Sequence, residues 1–285
     1  MAANLAGNDV GRASRRAAGH PMFHRLCRAG LAARGVNYIL IGALAVQIGL
    51  GDEGKTAEKK GALQVVADTP GGTVALWLLV VGFAGLALWR YAEALYGQPV
   101  PGGDKPVKRL ESLVHGVVYT AVFAGALAYV LGRKTQTTDE QSKTFSAEAM
   151  SHTGGRWAVL ALGLVLLAYG VAKVVTGVRH KFLETLRTGE MDPRTRQIVK
   201  SLGVVGHIAR GAVFAAAGVF IAHAAITFDP DKAKGLDGTL REFAQTPAGP
   251  WLLVAVAVGL VVFGLYSLCE ARWRKVETVG RGQGR

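Results

Sequence analysis

ARGVNY at residues 33–38 recurs as VHGVVY at 114–119 and as ARGAVF at 209–214. Each copy opens a long apolar run. A polar loop follows each run, and a second apolar run follows each loop. The chain therefore reads as three tandem copies of one hairpin. The six runs cover 30–50, 73–95, 113–131, 157–178, 204–226 and 251–269. A transmembrane helix needs about 20 mostly apolar residues, so each run is long enough, or nearly so, to cross a bilayer. Barrel strands would alternate apolar and polar residues over about 10 positions. Runs such as WLLVVGFAGLALW and WAVLALGLVLLAYG do not alternate. Backbone groups in lipid then have to be satisfied within helices. The expected fold is all-α: a polytopic membrane protein of six transmembrane helices, built as three hairpins with a pseudo-threefold arrangement.

The repeats fix a register. Repeat one occupies 29–97, repeat two 98–182 and repeat three 200–276. A basic tail at 1–28 precedes them and a short tail at 277–285 follows. In the first helices, shifts of 81 and 176 bring Arg34 onto His115 and Arg210. In the second helices, shifts of 83 and 177 bring Glu93 onto Thr176 and Glu270, and Arg90 onto Lys173 and Ser267. A two-helix unit returns the chain to its starting side, so the three copies share one orientation. Such repeats are related by an axis along the membrane normal.

Composition agrees without deciding the matter. Half of the 285 residues are hydrophobic and the mean hydropathy is +0.27. The net charge is +13. The basic residues stand beside the apolar spans, with no nucleic-acid reading module among them, so anionic headgroups rather than nucleic acid are the expected partner. The tail at 1–28, the residues after 269 and the loops at 96–112 and 179–203 together carry 19 Lys and Arg, against 10 in the loops at 51–72, 132–156 and 227–250. The more basic side marks the cytoplasm. That orientation predicts a cell-membrane protein with both termini on the cytoplasmic side. The three outer loops each lead through a short amphipathic stretch to a Gly-containing break, which suggests a short interfacial helix in each.

The unit ARGxxY/F, apolar helix, TPGG or TPAG break, second apolar helix, then WRYAEA or YSLCEA, resembles the bacterial DUF1206 family. The resemblance covers 23–276. It implies a six-helix membrane protein of three tandem two-helix repeats and supplies no activity.

Charges inside apolar spans are costly and mark the candidate residues. Arg34 and Arg210 lie near the inner ends of their runs, at about the depth of Glu93 and Glu270. Repeat two loses both charges together, at His115 and Thr176. The expected ion pairs join Arg34 with Glu93 and Arg210 with Glu270, within a repeat or between neighbours. Positive-inside placement alone also accounts for the arginines. Arg90, Lys173 and Ser267 could ring a cytoplasmic vestibule or act as snorkelling anchors. Gly35, Gly42 and Gly49 are spaced by seven, as are Gly211 and Gly218. That stripe lets helix backbones approach closely. The first helices are therefore expected nearer the axis. The second helices, with Trp77, Trp89, Trp157 and Trp251 at the interfaces, are expected outside them.

No HExxH, GxSxG or Walker loop is present, and no cluster of metal ligands. Neither an enzyme nor a cofactor is expected. Cys27 and Cys269 lack redox spacing and are expected to be reduced thiols. The first functional expectation is a structural or regulatory membrane component. The alternative is a small transporter or channel along the axis between the repeats, which would call for a polar cavity lined by Asn37, His115 or Gln47.

Overall fold

A computed structural model describes residues 21–50, 63–64, 66–68, 70–98, 100, 102–133, 138–152, 154–227, 229, 232–234, 239 and 249–276. The tails at 1–20 and 277–285, and most of the third outer loop, lie outside the described residues. Its helices are α1 (Pro21–Gly49), α2 (Gly72–Tyr96), α3 (Pro106–Val130), α4 (Thr138–Met150), α5 (Gly155–Val178), α6 (Pro193–Thr227) and α7 (Gly249–Trp273). All but α4 are long and apolar enough to cross a membrane. No strand occurs among the described residues, only a single bridge between Leu186 and Arg274.

Local chemistry sets the helix ends. Pro106 opens α3 and Pro193 opens α6, where a proline's missing N–H and fixed φ cost nothing. Asp192 caps α6: its Oδ1 accepts the backbone N–H groups of Arg194 and Thr195, each at 3.0 Å. Its carboxyl is held below the usual range, chiefly by the Thr195 side chain. The breaks before α2 and α5 turn on Gly71 (φ 77°) and Gly154 (φ 83°), which occupy the same place in repeats one and two. Only glycine takes that backbone without strain. In the second outer loop α4 precedes this break.

Each second helix packs mainly against the first helix of the next repeat. Thus α2 lies on α3, α5 on α6, and α7 returns to α1. One register serves all three contacts. Gly35, Gly116 and Gly211 hold equivalent places in the first helices. They face Leu268, Tyr91 and Val174, which hold equivalent places in the second helices. Gly42 meets Ala257 and Val261, and Gly218 meets Gly163 and Leu167. The glycine stripes are thus buried in helix–helix contacts. Gly49 is the last residue of α1.

Around the bundle the order is α1, α2, α3, α5, α6, α7 and back to α1. Among the described residues every neighbouring pair packs closely except α3 and α5. These two are also the spans that bury least of themselves. The expectation that first helices sit nearer the centre, with the tryptophans outside, therefore needs correction. Buried α2 and α7 each wedge between two first helices, whereas α3 touches one long neighbour. Trp77, Trp157 and Trp251 are exposed, but Trp89 is fully buried.

Candidate functional site

Each first helix carries a cation or imidazole and, one turn on, an aromatic ring: Arg34 with Tyr38, His115 with Tyr119, and Arg210 with Phe214. Four residues return to the same helix face. The packing order turns Arg34, His115, Tyr119 and Arg210 towards one cavity of about 230 Å³, with Tyr38 and Phe214 packed against the Arg210 guanidinium. It lies at the end of the bundle where the α2–α3 and α5–α6 connections and the last turn of α7 meet. Seven Arg and Lys side chains line it, against three Glu, so it is cationic.

A chain of alternating charges forms one wall. Arg34 donates from Nε to the Ser267 hydroxyl (3.3 Å), from Nη1 to the Tyr119 hydroxyl (3.2 Å) and from Nη2 to the Glu270 carboxylate. Glu270 also accepts from Arg274, just past the end of α7. Arg274 reaches on to Glu93 at 3.8 Å. Glu93 accepts from Arg90 at 2.8 Å and from the Ser112 hydroxyl at 3.3 Å. Arg90 and Arg274 both lie over the Trp89 ring, at 4.9 and 4.5 Å. Buried charges persist when paired and hydrogen-bonded, and this wall supplies both.

Arg210 is placed differently. Its Nη2 donates to the Tyr169 hydroxyl at 3.2 Å. Rings surround its guanidinium: Phe263 at 4.9 Å, Phe214 at 5.2 Å and Tyr38 at 5.6 Å. Among the described residues no carboxylate pairs with it, and its Nε has no hydrogen-bond partner. Repeat two forms the remaining wall. The His115 Nδ1–H donates to the Glu111 carbonyl at 2.7 Å, and its Nε2 meets the Tyr169 hydroxyl at 3.0 Å. Lys173 donates to the Glu111 carboxylate at 3.1 Å. Thr176 donates to the Ala172 carbonyl.

The connection after α5 folds across the aqueous end of the cavity. Phe182 stacks on His207 at 5.0 Å and meets Tyr266 edge-on. Arg187 donates its N–H to the Trp273 carbonyl at 2.8 Å, and Lys275 donates to the Thr185 carbonyl at 3.0 Å. The connection is thereby pinned to the end of α7.

The carboxylate partners differ from the within-repeat pairs Arg34–Glu93 and Arg210–Glu270. Arg34 pairs with Glu270, a neighbour's residue, because the close approach of Gly35 to Gly264 brings α7 alongside α1. Glu93 instead takes Arg90, one turn away on its own helix. Arg210 instead lies over the Phe263 ring, where α6 crosses α7 at Gly206, while Glu270 is taken by Arg34 and Arg274. Arg90 and Lys173 line the cavity, and Ser267 is buried behind Arg34. Asn37 and Gln47 are not in the lining, while His115 is.

Sequence pattern alone misses several contributors. Tyr38, Tyr119 and Phe214 sit inside the repeated motif, and their spacing of four from the Arg or His is the signal that could have found them. Arg274 reads as flanking charge just past the last apolar run and Glu111 as part of a connecting loop. No pattern in the chain distinguishes either from ordinary flanking charge.

Guanidinium forks, an ammonium and tyrosine hydroxyls converging on a cationic cavity form an anion-recognition set. Among the described lining residues nothing pairs a nucleophile with a base. Among the described residues no three His, Cys, Asp or Glu side chains stand close enough together to hold a metal.

The chain matches the family described as Domain of Unknown Function (DUF1206) three times, at residues 29–97, 111–180 and 205–274. It is 32% identical over 252 residues to the uncharacterized protein YxxB of Bacillus subtilis (strain 168), covering 88% of this chain and 90% of that protein. No solved structure matches it.

Proposed function

The chain belongs to the DUF1206 family, and since that membership carries no activity we propose from the site itself that this membrane protein binds a small anion in its central cavity. This reading places it with solute carriers and sensors. The observation that carries it is Arg210: a half-buried guanidinium facing the cavity among rings and a tyrosine hydroxyl, its Nε enclosed without a partner and with no carboxylate beside it among the described residues. An incoming anion would supply the missing charge. A charge-assisted hydrogen bond contributes about 1.5–3 kcal/mol, so Arg210→Gln is expected to weaken anion binding by about 10- to 100-fold. Arg210→Lys keeps the charge but not the fork and should fall between. Calorimetric titration of the purified full chain with phosphate, sulfate and acetate measures this. Equal binding by the parent and Arg210→Gln would reject the proposal.

A second reading keeps the protein as a structural or regulatory membrane component. The Arg34–Glu270–Arg274–Glu93–Arg90 wall favours it, because those charges compensate one another without any ligand. Absence of binding by every anion tried would select this reading.

In either case the basic end is proposed to face the cytoplasm of the cell membrane, against anionic headgroups, with both termini inside. The helices are proposed to surround a pseudo-threefold axis along the membrane normal. Accessibility labelling tests the orientation. A cysteine from Glu140→Cys should react with a membrane-impermeant maleimide on intact cells. One from Lys105→Cys should react only after permeabilisation. The reverse pattern would invert the topology.

A further inference from the structure

Resting on the anion-binding reading above, we infer that the anion is the headgroup of an acidic phospholipid, which enters sideways through the seam between α3 and α5 and leaves its acyl chains in the bilayer. Among the described residues, the seam is the one place around the bundle where neighbouring spans do not pack. Long polar side chains bridge it: Lys173 to Glu111 at 3.1 Å and Tyr169 to His115 at 3.0 Å. All four belong to the site, and three of them line the cavity itself. The cationic chamber thus meets the lipid-facing surface through a latch of two hydrogen bonds.

Further along the same helix faces the lips of the seam turn apolar. Val118 follows His115 by three residues and is 51% exposed; Val165 precedes Tyr169 by four and is 65% exposed. Charge at one end and hydrocarbon at the other complement an amphiphile, whereas a soluble ion needs only the first. The aqueous end offers the poorer route, because the pinned connection carrying Phe182 crosses it. The cavity also sits towards one end of the spans, at the depth where headgroups begin. A headgroup phosphate could reach Lys173 and Arg210 there without taking its chains out of the bilayer.

Native mass spectrometry of the full chain released from detergent tests this. The probes are phosphatidylglycerol, phosphatidylcholine and water-soluble glycerol phosphate, and the variants are Lys173→Gln, Arg210→Gln and Val118→Trp. Phosphatidylglycerol should be retained one to one, and about tenfold better than phosphatidylcholine, as expected if one charge-assisted hydrogen bond separates them. Both charge variants should lower that retention by about the same factor. Val118→Trp narrows the seam from the lipid side. It should reduce phosphatidylglycerol but leave glycerol phosphate unchanged; Val165→Trp from the opposite lip should do likewise. Binding of glycerol phosphate without phosphatidylglycerol would overturn this inference and leave the anion cavity standing. Binding of neither would overturn both. Phosphatidylglycerol retained equally by Arg210→Gln and Lys173→Gln would mean unspecific surface lipid and overturn the inference. A lipid-free dimer would mean that a second copy covers the seam, and would overturn it as well.

Discussion

Replacing Glu270 with alanine is expected to cost about 3–5 kcal/mol of stability, the range for removing one partner of a buried ion pair. Glu270 is 3% exposed and is held by both Arg34 and Arg274. Its loss leaves Arg34 with only hydroxyl partners, and leaves Arg274 with Glu93 at 3.8 Å. Unfolding of the purified protein by a titrated denaturing detergent measures the effect. Arg34→Met with Glu270→Gln should cost less than the sum of the two single changes, because the double variant removes the pair together. An exposed pair serves as the contrast. Glu190 lies 3.4 Å from Arg187 with its side chain 60% exposed, and Glu190→Ala should shift stability by well under about 1 kcal/mol. A loss at Glu270 no larger than that at Glu190 would remove the buried wall as a source of stability.

The second large effect is expected at the glycines of the inter-repeat contacts, and it should be graded. A Cβ at Gly35 would meet the Gly264 carbonyl oxygen at 2.8 Å, and one at Gly211 would meet the Gly170 carbonyl oxygen at 2.7 Å. Both obstacles are backbone, so the helices must separate. Gly35→Val and Gly211→Val are each expected to cost about 1–3 kcal/mol, the usual penalty of overpacking. At the equivalent Gly116 the obstacle is the Tyr91 ring at 2.8 Å, which can swing towards lipid. Gly116→Val should therefore cost distinctly less than the other two. Three equal losses in the same unfolding assay would mean that the three contacts do not differ as their geometry says.

The spans and the repeats are legible in the chain because both are written in local pattern. An apolar run of membrane length admits one backbone solution, and a motif repeated three times fixes the register of everything near it. Gly35 and Gly211 are readable as packing residues for the same reason. The partners are not readable. Whether Arg34 takes Glu93 or Glu270 depends on which second helix lies beside α1, and that is settled by the return of α7 to the first repeat. Arg210 looks like half of an ion pair because Glu270 stands in register with it; the Phe263 ring it lies over instead is an ordinary apolar residue in its own run. Charge compensation in this bundle is decided between repeats, where hairpin spacing is silent. The parted α3 and α5 are equally hidden, since both read as sound transmembrane segments of one hairpin.

The return of α7 onto α1 has a consequence for biosynthesis. α1 is synthesised well before α7 and waits for it before its main contact can form. Throughout translation Arg34 sits in α1 without the carboxylate that will neutralise it, so the nascent segment has to keep that charge in contact with water or headgroups until residue 270 has been made. Arrival of α7, rather than insertion of any single hairpin, is the step that closes the bundle on α1.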